Sequence, residues 1–404
     1  MSSAAGDVVQ RIAFITPEFL TEPQASGGIA NYVAKMATAL STRGLEVEVF
    51  VPSTGSGTLG YHGVRVERVP TERSIVSRAV TRVVGWIVGP RSGLIMNLMN
   101  ARRLAAAVER RHSERPFDAI QSSNHNLTGA FVRHTNGRVH LVRISTSRRL
   151  YDAPGGRRNA WMGRVVELCD VRSLRRADVV YAPSTFLAEH FNRTYGLDVR
   201  VVRPPAELGG TPATADPASL PKRYLVHFGS LGSRKGTDTI AAALERAWQR
   251  EPGLQMVWVG PIAQDALAAF RAAWGPRSEQ VLVLGLLEKA QLYRVLQGAV
   301  ASVLPSRIDN LPNTVIESLA LGIPVIGSDG ASIDELVEHG ASGWLVPIGD
   351  VAALAEAMVV AWRGEADWLG PGFTPPARLE EMRPDRAVQA FLELVSQTKS
   401  EAGA

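Results

Sequence analysis

Short apolar runs alternate with longer segments of helical period along this chain, and the alternation stops once and restarts. Arg11–Thr16 (RIAFIT) reads as a buried strand. Gly28 to about Thr42 follows as a helix with Ile29, Val33, Met36, Ala37 and Leu40 on one face. Val47–Val51, Val64–Val69, Phe117–Gln121, Val139–Ile144 and Asp178–Ala182 read as further strands, separated by helical pattern. Arg203–Ser219 is rich in Pro, Gly, Thr and Ala without apolar period, and reads as a linker. The pattern then resumes at Tyr224–Phe228, Gln255–Gly260, Val281–Leu284, Val300–Leu304 and Ile323–Gly327. Alternating strand and helix predicts a mostly parallel sheet covered by helices, and the restart predicts a second one. A length of 404 residues suits two domains. In such sheets ligands gather at the carboxyl ends of the strands.

The stretch from Ser302 to Pro347 carries the densest chemistry. Pro305 and Ser306 end an apolar strand, and Asn313 is expected to cap a helix running to about Leu321, closed by Gly322. Strand, loop, helix N-terminus and strand make a frame for a phosphorylated ligand, because free N–H groups and the helix dipole face the loop. Asp309 and Glu317 lie eight residues apart around it. Glu317, one turn into the helix, can accept from both hydroxyls of a ribose, and Asp309 lies where a sugar beyond the phosphates would sit. They also read as a helix-surface charge and a turn residue.

The stretch resembles the C-terminal signature of the retaining glycosyltransferases of family 4, which have the GT-B fold. The family's E-x7-E is Asp309-x7-Glu317 here, followed by Ala320-Leu-Gly322-Ile-Pro324-Val325, then Gly330 and Glu335, Gly343-Trp-Leu-Val346 and Asp350. The first Glu is Asp, which keeps the charge and shortens the reach. The resemblance implies two Rossmann-like α/β domains facing across a cleft. Residues 1–203, with a last helix of about 385–404 crossing back to them, would bind the acceptor. Residues 204–384 would bind the donor, with 364–384 as a loop before the crossover. Glu317 would hold the ribose, Asp309 the sugar hydroxyls, and the backbone N–H groups of Leu311, Asn313 and Thr314 the phosphates.

Two further loops fit that frame. Ser26-Gly27-Gly28 follows the first strand and opens a helix, where a close backbone approach and a helix N-terminus coincide. The resemblance implies that Gly27 and Gly28 lie beside donor phosphates. No GxGxxG is present, which argues against a nicotinamide or flavin site. Phe228–Gly236 (FGSLGSRKG) resembles the family's G-R-L-x-x-x-K-G, whose Arg and Lys grip the diphosphate. Lys235 matches, Ser230 stands at the Arg position, and Arg234 is the candidate replacement. Two cations on a diphosphate stabilise a leaving group without a metal ion. The same turn also reads as a solvated basic loop.

The first half departs more. Family members often carry His at positions matching Ser123 and the Arg143-Ile144-Ser145-Thr146-Ser147 segment. Ser is no acid or base near neutral pH. His125 takes the catalytic role if its loop brings it round, and is otherwise a solvated side chain. Without an evident protein nucleophile, attack by the acceptor on the face the diphosphate leaves, with a donor phosphate oxygen taking the proton, is the working route.

Charge is uneven. Residues 1–203 hold 28 Lys and Arg against 16 Asp and Glu, and the remainder 16 against 23. A basic first half suits an anionic lipid, a phosphorylated acceptor or a polyanion, and equally a complementary partner half. Arg73–Gly89 is basic and amphipathic with a Trp, as in helices that lie on anionic membranes or pack on their own domain. No aromatic-interleaved basic strand points to nucleic acid. Cys169 is the single cysteine, so no internal disulfide forms. The N-terminus has no signal-peptide pattern and no run is long enough to span a bilayer, so the expected place is the cytoplasm, with peripheral contact at the inner membrane face. The expected activity is metal-independent, cofactor-free, retaining transfer from a nucleotide-diphospho-sugar to a glycan, lipid-linked or small-molecule acceptor. The alternative is a GT-B protein that binds nucleotide or glycan without transfer.

Overall fold

A computed structural model describes residues 9–23, 27–71, 92–145, 147, 150, 160–214 and 216–403. The chain divides into two compact units, Met1–Pro205 with Pro384–Ala404, and Ala206–Arg383.

The first unit is built on an eight-stranded sheet of order β3-β4-β2-β1-β5-β6-β7-β8. Its strands are β1 Arg11–Ile15, β2 Glu46–Ser53, β3 Gly57–Tyr61, β4 Val64–Pro70, β5 Ala119–Ser123, β6 Val139–Arg143, β7 Val179–Ala182 and β8 Val199–Val201. All neighbours pair in parallel except β3 with β4. The chain leaves β1 toward β2 and returns on its other side at β5, so the topological switch lies between β1 and β5. Strands buried on both faces need continuous apolar runs, and β1 supplies one: Ile12 and Phe14 face one core, Ala13 and Ile15 the other. Helices α1 (Gly28–Thr42), α2 (Ser92–Glu114), α3 (Ala160–Leu174) and α4 (Thr185–Tyr195) cover the sheet. Ser184 caps α4 by accepting from the Leu187 N–H at 3.2 Å, and Gly196 ends it at φ 61°.

The second unit has a six-stranded parallel sheet of order β11-β10-β9-β12-β13-β14. Its strands are β9 Leu225–Phe228, β10 Met256–Val259, β11 Val281–Leu284, β12 Ser302–Leu304, β13 Val325–Asp329 and β14 Gly343–Pro347. The switch falls between β9 and β12. Helices α5 (Thr237–Arg250), α6 (Gln264–Trp274), α7 (Lys289–Gln297), α8 (Asn313–Ala320) and α9 (Val351–Arg363) flank it. One core holds Trp248, Trp258 and Trp274, with Trp274 edge-on to the other two at 5.9 and 5.4 Å. The opposite face packs Val226, Val257, Val315, Leu319 and Val325.

After the one-turn α10 (Arg378–Glu381), α11 (Pro384–Gly403) joins the first unit, burying Val388, Phe391 and Val395 beside Phe14 and Tyr181. It starts one residue earlier and ends one residue earlier than the expected 385–404. The expected 364–384 loop contains α10 and a 3-10 turn at Gly370–Gly372. Three strands were not anticipated. β3 (GTLGY) is an edge strand with two glycines, β8 has three residues, and β14 (GWLVP) is bounded by Gly and Pro. The amphipathic reading of residues 73–89 lies outside the described residues. No helix among the described residues is long and apolar enough to cross a membrane.

Candidate functional site

In the second unit, the loops after β9 and β12 meet at the carboxyl edge of the sheet, at its switch point. The loop after β9 is fixed from below by a buried histidine. His227 donates from Nδ1 to the Val303 carbonyl at 2.8 Å and accepts at Nε2 from the Thr237 hydroxyl at 2.9 Å. The Thr237 hydroxyl oxygen in turn accepts from the Gly232 N–H at 2.8 Å. Burial drives the His227 pKa down to about 4, so the imidazole is neutral, as this relay requires. Gly236 sits at φ 74°, and a Cβ there would overlap the Pro305 carbonyl. The two loops therefore lie backbone against backbone, and the Arg307 N–H donates to the Arg234 carbonyl at 2.9 Å.

This contact brings Lys235 to Asp309, and their side chains form a half-buried ion pair. Arg234 and Ser230 lie on the same loop and are exposed. Arg307 was not foreseen. Its guanidinium reaches Ser233 Oγ at 2.7 Å and Asp238 at 2.8 Å, bracing the turn that carries Lys235. The only advance signal was its place two residues before Asp309.

The start of α8 corrects one expectation. The cap residue is Pro312 (φ −71°, ψ 116°), and Asn313 is the first helical residue, with no side-chain cap. The pyrrolidine ring sets the entry angle, and the Pro312 carbonyl accepts from Val315 and Ile316 at 3.1 and 3.2 Å. Among the described residues no acceptor meets the N–H groups of Leu311, Asn313 or Thr314. Glu317 lies on this helix, half-buried, and its charge adds to burial in raising the Tyr293 pKa to about 12. Across the loop after β13, Gly330, Ala331 and Ser332 all have positive φ, of 123°, 54° and 60°. Two non-glycine residues in the left-handed region store strain of the kind found at ligand clamps. The Ser332 hydroxyl ties that loop to the Asp309 carbonyl at 3.3 Å. Beyond β11, Leu286 is 82% exposed, an apolar side chain at the same edge that pattern reading did not flag.

In the first unit the switch point holds Glu18, Gly27 and His125. The Glu18 carboxylate accepts from the Ala30 N–H at 3.3 Å, so it occupies the N-terminus of α1. A Cβ on Gly27 would overlap that carboxylate, whereas nothing approaches within 4 Å at Gly28. Gly27 thus makes room for a side chain of its own chain, and Gly28 leaves open space. His125 opens a 3-10 turn and its N–H donates to Ser123 Oγ at 3.1 Å. Burial lowers its pKa while the Glu18 charge raises it, the first effect prevailing. The ring is half-buried and has no hydrogen-bond partner among the described residues.

The positions where the resemblance puts histidines are knit together instead. Ser123 donates to Ser145 Oγ at 3.1 Å, and the Asn124 side chain accepts from the Ser145 N–H at 2.7 Å and donates to Asp170 at 3.0 Å. Burial raises the Asp170 pKa to about 7. Among the described residues no group of three or more His, Cys, Asp or Glu is placed to hold a metal ion.

Residues 27–207 match the glycosyl transferase 4-like domain and residues 222–363 match the glycosyl transferases group 1 family. Glycogen synthase of Mycobacterium tuberculosis is 23% identical over 370 residues, covering 86% of this chain and 85% of that one. The amylovoran biosynthesis glycosyltransferase AmsK of Erwinia amylovora is 35% identical over 112 residues, covering 26% of this chain and 28% of AmsK. Among solved structures, Anabaena HepE in complex with UDP superposes with a TM-score of 0.65 at 17% identity, over 96% of this chain and all of that one. With both units matched and a GT-B enzyme superposing on nearly the whole chain, this protein belongs to the glycosyl transferases of group 1 and is a glycosyltransferase of the GT-B type.

Proposed function

We propose that this glycosyltransferase takes a nucleotide-diphospho-sugar as donor and transfers the sugar with retention, without a metal ion or cofactor. The observation that carries this is the Lys235–Asp309 pair at the switch point, beside three backbone N–H groups that have no acceptor. A diphosphate arriving there competes with Asp309 for Lys235. It gains charge-assisted hydrogen bonds from Lys235 and from the Leu311, Asn313 and Thr314 N–H groups. Asp309, released from the lysine, accepts from the sugar hydroxyls. Arg234 adds charge from the exposed side of the loop, Ser230 lines it, and Glu317 accepts from the ribose. Leu286 offers an apolar face to the base.

The second unit then holds the donor and the first the acceptor. Cations on the diphosphate stabilise it as it leaves. The acceptor hydroxyl attacks the anomeric carbon on the same face, and its proton passes to a phosphate oxygen of the leaving group. His125, whose burial favours the neutral imidazole and whose ring has no hydrogen-bond partner among the described residues, is the candidate to take that proton instead. The complex of HepE with UDP supports a nucleotide at this kind of fold.

The test is a thermal-shift titration of the full chain with UDP, GDP, ADP and dTDP and their sugar conjugates, with and without EDTA. Stabilisation by one diphosphate, lost in Glu317→Ala and unchanged by chelator, is expected. NMR of the product then reads the anomeric configuration. A chelator-sensitive shift or an inverted product refutes the route. Binding without turnover favours the non-transferring reading, to which the serines at 123 and 145 point.

A further inference from the structure

The first unit buries a guanidinium that has no counter-ion among the described residues. Arg143 ends β6 with 8% of its surface exposed, and among the described residues no carboxylate lies within ion-pair reach of it. Its Nη1 donates to Ser145 Oγ at 2.9 Å, and its guanidinium carbon lies 3.9 Å from the centre of the Tyr32 ring. Nε is buried and has no partner. The cation–π contact and one hydroxyl offset only part of the cost of removing an arginine from water.

Its surroundings form a row. In the parallel register Ser123 of β5 and Tyr181 of β7 flank Arg143 on either side, so the three side chains share one face of the sheet at its carboxyl edge. The Tyr32 and Tyr181 hydroxyls pair at 2.8 Å beside it. Two residues earlier on β5, and on the same face, Gln121 leaves its Oε1 buried and unpartnered. A donor and an acceptor both lack partners within one polar cluster, in the part of the sheet where ligands bind.

We infer that Arg143, with the Ser123 and Ser145 hydroxyls, forms a subsite for an anionic group on the acceptor, a carboxylate or a phosphate. The planar fork of arginine matches either group. Gln121 Oε1 then accepts from a hydroxyl of the same ligand. The inference rests on the reading that the first unit takes the acceptor.

The experiment is a thermal-shift titration of the full chain at constant ionic strength with glucose 6-phosphate, glucuronate and glucose, and separately with UDP. Saturable stabilisation by an anionic sugar and none by glucose is expected. A response to glucose 6-phosphate alone assigns phosphate, and one to glucuronate alone assigns carboxylate. Arg143→Met should weaken that binding about 10- to 100-fold, leave the UDP response intact, and melt at or above the wild-type temperature, because an unpaired buried charge is gone. Arg143→Lys, which keeps the charge but loses the fork, should fall between. Equal responses in wild type and Arg143→Met, no response of the wild type to either anionic sugar, or a variant that melts well below wild type each overturn the subsite. The last of these would make Arg143 a structural residue. Loss of the UDP response in the wild type itself counts against the donor reading and not against this one.

Discussion

Replacing Asp170 by Asn should remove a pH dependence from the stability of the first unit. Asp170 lies on α3, half-buried. One carboxylate oxygen accepts from Asn124, which favours the charged form, but the other is buried without a partner among the described residues, and burial outweighs that one bond. Burial moves its pKa up to about 7, whereas an unfolded Asp titrates near 3.9, roughly. Between these values the folded chain holds a proton that the unfolded chain has released. Stability from this group is therefore complete below about pH 4 and is lost as pH rises through about 7. About three pH units at ~1.4 kcal/mol each give about 4 kcal/mol, and the partial exposure of Asp170 lowers this to roughly 2–4 kcal/mol. Asn keeps a neutral acceptor for Asn124. Six of the eight tryptophans belong to the second unit, so fluorescence would report the wrong region. Hydrogen exchange over peptides spanning β5 and β6, corrected for intrinsic rates, reads the first unit directly. Wild type should lose protection relative to Asp170→Asn between pH 5 and 8, and the difference should level off above that. A difference that is flat from pH 5 to 8 would mean that Asp170 is ionised throughout, and would refute the argument from burial.

Three other outcomes are expected. Lys235→Met should weaken nucleotide diphosphate binding by about 10- to 100-fold in calorimetry, the cost of one charge-assisted hydrogen bond, with a modest fall in melting temperature because Asp309, 16% exposed, loses its partner; an unchanged Kd would remove Lys235 from the donor site. Gly236→Ala should destabilise the second unit by roughly 2–4 kcal/mol in urea unfolding, since the residue has positive φ and its Cβ would meet the Pro305 carbonyl; a cost below about 1 kcal/mol would show that the two loops separate easily. Gly27→Ala should displace the Glu18 carboxylate from α1, so its cost should largely vanish in a Glu18→Ala background; additive costs in that double-mutant cycle would contradict the contact.

The strands that lie inside the sheets could be read in advance because burial on both faces leaves an unbroken apolar run, as in β1 and β10. β3 and β8 could not, since an edge strand with glycines or one of three residues carries no such run. The loops after β9 and β12 were legible through their residue types, Lys235-Gly236 in one and the Asp309-x7-Glu317 spacing in the other, although the cap of α8 is Pro312 and not the expected Asn313. What the residue string hid was side-chain pairing. Lys235 and Asp309 are 74 positions apart, and nothing local says that they meet. The same holds for His227, which reads as part of an apolar strand but orders the loop above it through Thr237. Ser123 and Ser145 looked like missing histidines. Their place in a network around Arg143 follows only from the register of β5 against β6.

The return of α11 to the first unit sets an order on synthesis. A ribosome moving from the N-terminus completes the chain of the second unit at Arg383 while the first still lacks the helix that covers Phe14 and Tyr181. Unit two, though later in the sequence, is therefore the first whose full chain exists. The earlier unit waits with an apolar sheet face exposed until the helix Pro384–Gly403 emerges, about one to four seconds later at ordinary elongation rates. For that interval the nascent first unit is open to misassembly, and slow codons over Pro384–Gly403 would lengthen its exposure.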